Sequence, residues 1–180
     1  MATAEAKDQR QQQAFRALFE AELQYVWNTL RYLGVHEADV RDVAHDVFIT
    51  VFQRFEECDP SEPLRPWLFV IAYHAASNYR RLARHRREVH TDGVEPADEA
   101  RGVEEAIDER RRAALLVRAL DGVGMEKRAV LVMHDMDGVA VPKIAEVLSI
   151  PLNTAYSRLR LARNELAERV RALTEPGERA

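Results

Sequence analysis

The segment VPKIAEVLSIPLNTAYSRLRLAR, Val141 to Arg163, constrains the fold more than any other part of the chain. A short apolar stripe, Ile144, Ala145 and Leu148, stops at Ser149-Ile150-Pro151. A longer stripe then starts, with Ala155, Leu159, Ala162, Leu166 and Val170 at helical spacing. Two helices joined by so tight a break make a helix-turn-helix. Proline suits the start of the second helix, because the first helical N–H groups lack intrahelical partners. The opposite side of that helix carries Asn153, Tyr156, Ser157, Arg160 and Arg163. Arginine can pair with a guanine edge and asparagine with adenine, while hydroxyls can hold phosphates. Recognition helices meet bases through their first turns, here Asn153, Thr154, Tyr156, Ser157 and Arg160.

The rest of the chain repeats the helical period. Apolar residues recur on one face over about Ala14 to Leu33, Glu37 to Glu57 and Pro66 to Arg87. In the third of these, Trp67, Leu68, Ile71, Ala75, Tyr79 and Leu82 are expected inward. Prolines around CDPSEPLRP interrupt the second and third. The second half reads as four helices: Val103 to Leu120, Glu126 to Asp135, Val141 to Leu148, and Leu152 to Leu173. Periodicity is lost between Val89 and Gly102, where Gly, Pro and acids dominate. The expectation is an all-α chain of two small helical domains, residues 14–88 and 103–173, joined by an acidic linker at 89–102.

Net charge is −4 over 180 residues, which argues against a nucleic-acid partner only if the charges are mixed. They are segregated. Asn78 to Arg87 holds Arg80, Arg81, Arg84, Arg86 and Arg87 without an acid, and Asp92 to Glu109 is strongly acidic. Arg158, Arg160 and Arg163 restore positive charge. Local sign decides what a phosphate backbone meets.

One cysteine, Cys58, excludes an intrachain disulfide. The polar N-terminus has no signal-like apolar core, and no apolar run approaches membrane-spanning length, so a cytoplasmic protein without membrane insertion is expected. None of the six histidines stands in a metal-ligand motif. No phosphate-binding glycine loop or nucleophile elbow is present. Neither metal, cofactor nor enzymatic activity is expected.

Three blocks together resemble the extracytoplasmic-function group of bacterial sigma factors, within the sigma-70 family. In ADVRDVAHDVFITVFQRF, Asp42-Val43 and Asp46-Val47-Phe48 are similar to the group's acidic and apolar helix, with His45 where glutamine is usual. In PLRPWLFVIAYHAASNYRRLARHRR, Arg65, Trp67, Leu68, Ile71, Ala72, Asn78, Tyr79, Arg80 and Arg81 match the second block. Thr154, Ser157-Arg158-Leu159, Ala162 and Arg163 match the third. One departure is Gly124-Met125, where the group often has Leu-Pro.

The resemblance covers roughly residues 14 to 172 and implies a promoter-specificity factor for core RNA polymerase. It implies that Asp39, Asp42, His45 and Asp46 face the β′ clamp, and that a second contact is made with the β flap. It implies that Asn78, Arg80, Arg81 and Arg84 engage the melted −10 element. Asn153, Thr154, Tyr156, Ser157, Arg158, Arg160 and Arg163 would read the −35 element. It also implies an anti-sigma partner. Trp67 is expected to be structural and Tyr79 partly so. The residues alone leave open a dimeric helix-turn-helix regulator that acts without polymerase. A helical hydrolase using Asp42, His45 and Asp46 would need a second acidic or histidine cluster, and none is evident.

Overall fold

The structure, a computed structural model, describes residues 2–58, 61–89 and 104–175. Among the described residues seven α-helices run in order: α1 Ala2–Tyr32, α2 Val40–Gln53, α3 Leu64–Val89, α4 Glu104–Leu120, α5 Met125–Leu131, α6 Val141–Val147 and α7 Leu152–Thr174. No strand occurs among the described residues. The expected linker at 89–102 lies outside them, apart from Val89 at the end of α3.

Helix α1 starts well before the apolar stripe that predicts it. Its first turns are rich in Ala, Glu, Lys, Gln and Arg, all strong helix formers, so propensity alone favours the helix there. Further along, Val26, Leu30 and Leu33 are fully buried. Phe15 meets Phe52 and Phe19 meets Phe48 edge to face, at centroid distances of 5.0 and 4.6 Å, fastening α1 to α2. Helix α3 closes this three-helix unit with Leu68, Phe69, Ile71, Ala72 and Ala76. Leu82, expected inward, is instead 53% exposed, because α3 runs on past the core, whose last buried α3 residue among the described ones is Ala76.

The second half packs around α7. Ala155, Leu159 and Ala162 are buried against α5 and α6, and α4 lies along the same helix. The helix expected over Glu126 to Asp135 is α5 followed by a wider π turn, Val132–Met136. That turn swings Asp135 toward α7 and leads into the corner at Gly138, where φ is +70.

Two helix ends share one device. After α1, the Val35 amide bonds the Leu30 carbonyl and the Gly34 amide bonds that of Arg31, with Gly34 at φ +88. After α6, the Ile150 amide bonds Ala145 and the Ser149 amide bonds Glu146. Ser149 takes the left-handed position there, at φ 52, where glycine is the usual residue. The helix-turn-helix corner thus keeps its geometry without the glycine, at the expense of backbone strain.

The two halves touch. The buried apolar cluster is continuous from Val26 through Phe69 to Ile144 and Ala162, with α3 against α6 and α1 against α4. At this seam the Tyr25 hydroxyl donates to Asp137 Oδ2 at 2.9 Å. The Arg65 guanidinium lies 4.9 Å over the Tyr25 ring and pairs with Glu22 at 3.0 Å. Burial and the facing carboxylate keep Tyr25 protonated, while burial raises the Asp137 carboxyl. Lys143 reaches across to Glu62 at 2.9 Å. Trp67 and Cys58 line a neighbouring groove of about 430 Å³ together with Lys143. Arg128 is fully buried beside Gly34, and its Nε and Nη2 have no hydrogen-bond partner among the described residues.

Replacing Ser149 by glycine should stabilise the chain by about 0.5–1 kcal/mol, the relieved strain outweighing the added chain entropy. Gly34→Ala should destabilise it by more than about 1 kcal/mol, because the Cβ would also meet the Arg128 and Arg80 guanidinium nitrogens. Thermal melts of both variants, moving in opposite directions, check this.

Candidate nucleic-acid interface

Helix α7 presents its outer face because its inner face is fixed. With Ala155, Leu159 and Ala162 buried, Asn153, Tyr156, Ser157, Arg160 and Arg163 are exposed, as their spacing predicts. Pro151 precedes the helix and supplies no side-chain cap, so no side chain at that position competes for the first amides. Those amides and the helix dipole give the N-terminus a positive potential.

The candidate cations of α7 are not equivalent. Arg158 pairs with Glu126 of α5, and its side chain is only 23% exposed. Arg163 makes a two-pronged pair with Asp135, Nε to Oδ2 at 2.9 Å and Nη2 to Oδ1 at 2.5 Å. Arg160 is exposed and has no hydrogen bond or ion pair among the described residues. Thr154 is half-buried. Composition cannot make this distinction, since the partners Glu126 and Asp135 lie more than twenty residues upstream. The two acids tie the flanks of α7 to the helices around it and leave Arg160 as the open cation of its first three turns.

The Arg163 guanidinium holds the Asp135 carboxyl below the usual carboxylate range. Its folded value thus lies under its unfolded one. The pair's contribution is present above the ordinary aspartate value of about 3.9 and is lost as pH falls through the lower folded value.

On α3, Asn78 and Arg81 are exposed. Arg80 is half-buried, reaching the Leu33 carbonyl at 3.4 Å beside Arg128. Burial, and then the Arg80 charge, push Arg128 down to about 10, with Asp121 at 3.4 Å only partly compensating. The Arg84 side chain lies outside the described residues. Tyr79 packs on the core and donates its hydroxyl to Asp39 at 2.6 Å.

That bond sets one of the acids near α2 apart from the others. Asp42, His45 and Asp46 are exposed on one face, but Asp39 is half-buried and bound to α3. The 3-10 turn Glu37–Asp39 before α2 turns it inward, a local detail that helical periodicity does not carry. Beside the acidic residues, Ile49 and Phe52 are 42% and 41% exposed, so that face is acidic and apolar together.

Among the described residues, no group of three His, Cys, Asp or Glu could hold a metal ion. Among them, no helix is long and apolar enough to cross a membrane.

A double-mutant cycle on Asp135→Asn and Arg163→Ala should give a coupling of about 0.5–1 kcal/mol at neutral pH, as befits a partly exposed two-pronged pair. Denaturant titrations should show that coupling shrinking below about pH 4.

Comparison with known proteins agrees with this arrangement. A family model for Sigma-70 region 2 matches residues 18–87, and one for Sigma-70, region 4 matches residues 125–166. The chain is 25% identical over 162 residues to the RNA polymerase sigma factor NccH of Alcaligenes xylosoxydans xylosoxydans, covering 88% of this chain and 87% of the relative. It is 27% identical over 146 residues to the RNA polymerase sigma factor CnrH of Cupriavidus metallidurans, covering 76% of each. The solved structure of CnrH in complex with the cytosolic domain of CnrY superposes with a TM-score of 0.61 at 26% identity, covering 89% of this chain and 90% of that one. The fold is shared with the sigma factor RpoE from Bartonella quintana, solved with the anti-sigma factor NepR, at a TM-score of 0.59 and 20% identity, covering 88% and 98% of the two chains. With region 2 matched across α1 to α3 and region 4 across α5 to α7, the chain belongs to the sigma-70 family, in the two-region form of the extracytoplasmic-function sigma factors.

Proposed function

We propose that this chain binds core RNA polymerase and directs it to particular promoters. The presence of both matched regions in one chain carries this reading. A regulator that bound duplex DNA as a dimer would need the helix-turn-helix but not region 2. Residues 14–88 form the polymerase- and −10-binding domain, and residues 103–173 the −35-binding domain. The chain supplies binding energy and specificity in the cytoplasm, while the polymerase carries out the chemistry. No cofactor is assigned.

Asp42, His45 and Asp46 form the acidic part of a surface for the β′ clamp, supported by their exposure beside Ile49 and Phe52. Asp39 holds α2 to α3 through Tyr79 and so shapes that surface from within. A second contact joins the −35 domain to the β flap. Asn78, Arg80, Arg81 and Arg84 meet the melted −10 strand. Arginines neutralise its phosphates, and polar groups capture unstacked bases, which offsets the free energy of opening the duplex. On α7, Asn153, Ser157, Tyr156 and Arg160 read the −35 element, with Thr154 near the backbone. Arg158 and Arg163 orient the helix through their carboxylate partners and meet phosphates at its flanks.

Geometry adds a requirement. Elements centred near −10 and −35 are about 25 base pairs apart, roughly 85 Å at 3.4 Å per pair. Halves in direct contact through α3 and α6 cannot reach both at once. The seam therefore opens when promoter and polymerase are engaged. CnrH with CnrY and RpoE with NepR are sigma factors captured with partner proteins. By that likeness an anti-sigma protein also binds this chain and withholds it from polymerase.

Run-off transcription with core polymerase should give promoter-specific transcripts that polymerase alone does not give. Tight palindrome binding by the free chain, with no transcript, would contradict the proposal. Arg160→Ala should cost about 1–3 kcal/mol of discrimination at one −35 position. Arg80→Ala and Arg81→Ala should weaken all promoters alike and reduce the salt slope by about 0.7–0.9 each.

A further inference from the structure

We propose that Leu152 and Tyr156 are specificity-determining residues that read thymine 5-methyl groups in the −35 element. The inference deepens the reading of α7 as the helix that enters the major groove, and rests on it.

Both side chains are large, apolar and open: Leu152 is 44% exposed and Tyr156 52%. They stand four residues apart, so they are neighbours on one face of the first two turns. Arg160, four residues further, continues the same ridge. Tyr156 has no hydrogen bond or ion pair among the described residues, and neither has Arg160. Scattered exposed leucines are ordinary on a protein surface. An adjacent apolar pair at the leading end of a helix flanked by Asn153, Ser157 and Arg160 faces a narrower choice of partner.

The cations of α7 sharpen that choice. Arg158 and Arg163 are held by Glu126 and Asp135, which leaves Arg160 as the one open guanidinium in this part of the helix. Polar readout is therefore sparse, and apolar surface makes up much of what the groove would meet. The major groove offers one apolar group on its base edges, the thymine methyl. Leu152 to Arg160 spans about 12 Å at 1.5 Å per residue, which is roughly three or four base-pair steps. The ridge thus fits a short run in which thymine methyls face Leu152 and Tyr156 and a guanine faces Arg160. The Tyr156 hydroxyl, at the outer end of its ring, is free to hold a phosphate at the edge of the groove.

Replacing thymine by uracil removes the methyl and nothing else, so the test isolates that contact. Holoenzyme reconstituted from the full chain and core polymerase first selects a −35 element from a randomised library. Each thymine of that element is then replaced singly by uracil, and promoter affinity is measured at fixed salt. Wild type should lose about threefold to tenfold at one or two positions, the size of one buried methyl contact. Leu152→Ala should abolish the uracil effect at one position and Tyr156→Ala at another. Because both side chains are exposed, melting temperatures and the salt slope should stay unchanged. Selection of an element without thymine, indifference of wild type to uracil, or an effect that persists in both variants would each overturn the inference. Failure of the library to yield any −35 preference would overturn the reading of α7 itself, and the inference with it.

Discussion

The burial of Ala155, Leu159 and Ala162 organises everything that α7 presents to solvent. Alanine at two of these positions lets the helix lie close against α5 and α6, and that packing fixes its rotation. Once the rotation is set, Asn153, Tyr156, Ser157 and Arg160 can only face outward. Glu126 and Asp135 then hold Arg158 and Arg163 at the flanks, preventing the helix from rolling while leaving its leading turns open. Exposed ion pairs of this kind stabilise weakly, by about 1 kcal/mol or less. Their contribution is orientation. The π turn at Val132–Met136 is part of the same arrangement, because it carries Asp135 to its partner.

The seam between the halves is built from interactions that oppose one another. Continuous apolar contact, the Tyr25–Asp137 hydrogen bond and the Lys143–Glu62 pair hold it closed. Against them stands Arg128, fully buried with two nitrogen atoms that lack partners among the described residues and with the like charge of Arg80 nearby. Burying such a group without acceptors costs roughly 1–3 kcal/mol or more. A closure that carries this burden is poised to yield to a competing partner. In this reading opening separates the two DNA-reading ends and takes the like charge of Arg128 away from Arg80.

Much of this was legible in the sequence where periodicity was long and uninterrupted. The boundaries of α6 and α7, the buried stripe of α7 and the break at Ser149-Ile150-Pro151 follow from spacing alone. Phe69, one of the deepest residues, lies off the stripe through Leu68 and Ile71, because α3 is buried on more than one face. Leu82 was misplaced because periodicity cannot say where a helix outruns its partners. Asp39 reads as exposed on a helix wheel but is turned inward by a single 3-10 turn, a choice made by Tyr79 forty residues away. The ion pairs that divide the α7 arginines into held and open are likewise long-range. Leu152 is not legible as a site residue in the sequence, because an exposed leucine carries no polar or charged signal.

The separation of the two halves is measured most directly between Glu62 and Lys143, which touch across the seam. Spin labels at Glu62→Cys and Lys143→Cys, with Cys58→Ser removing the native thiol, report it in the free chain and in a transcription-competent promoter complex. The labels should lie close together in the free chain. They should move apart by tens of ångströms in the complex, toward the roughly 85 Å that separates the two promoter elements. A complex that initiates transcription from its own promoter while the labels stay at their free-chain distance would contradict the two-ended reading.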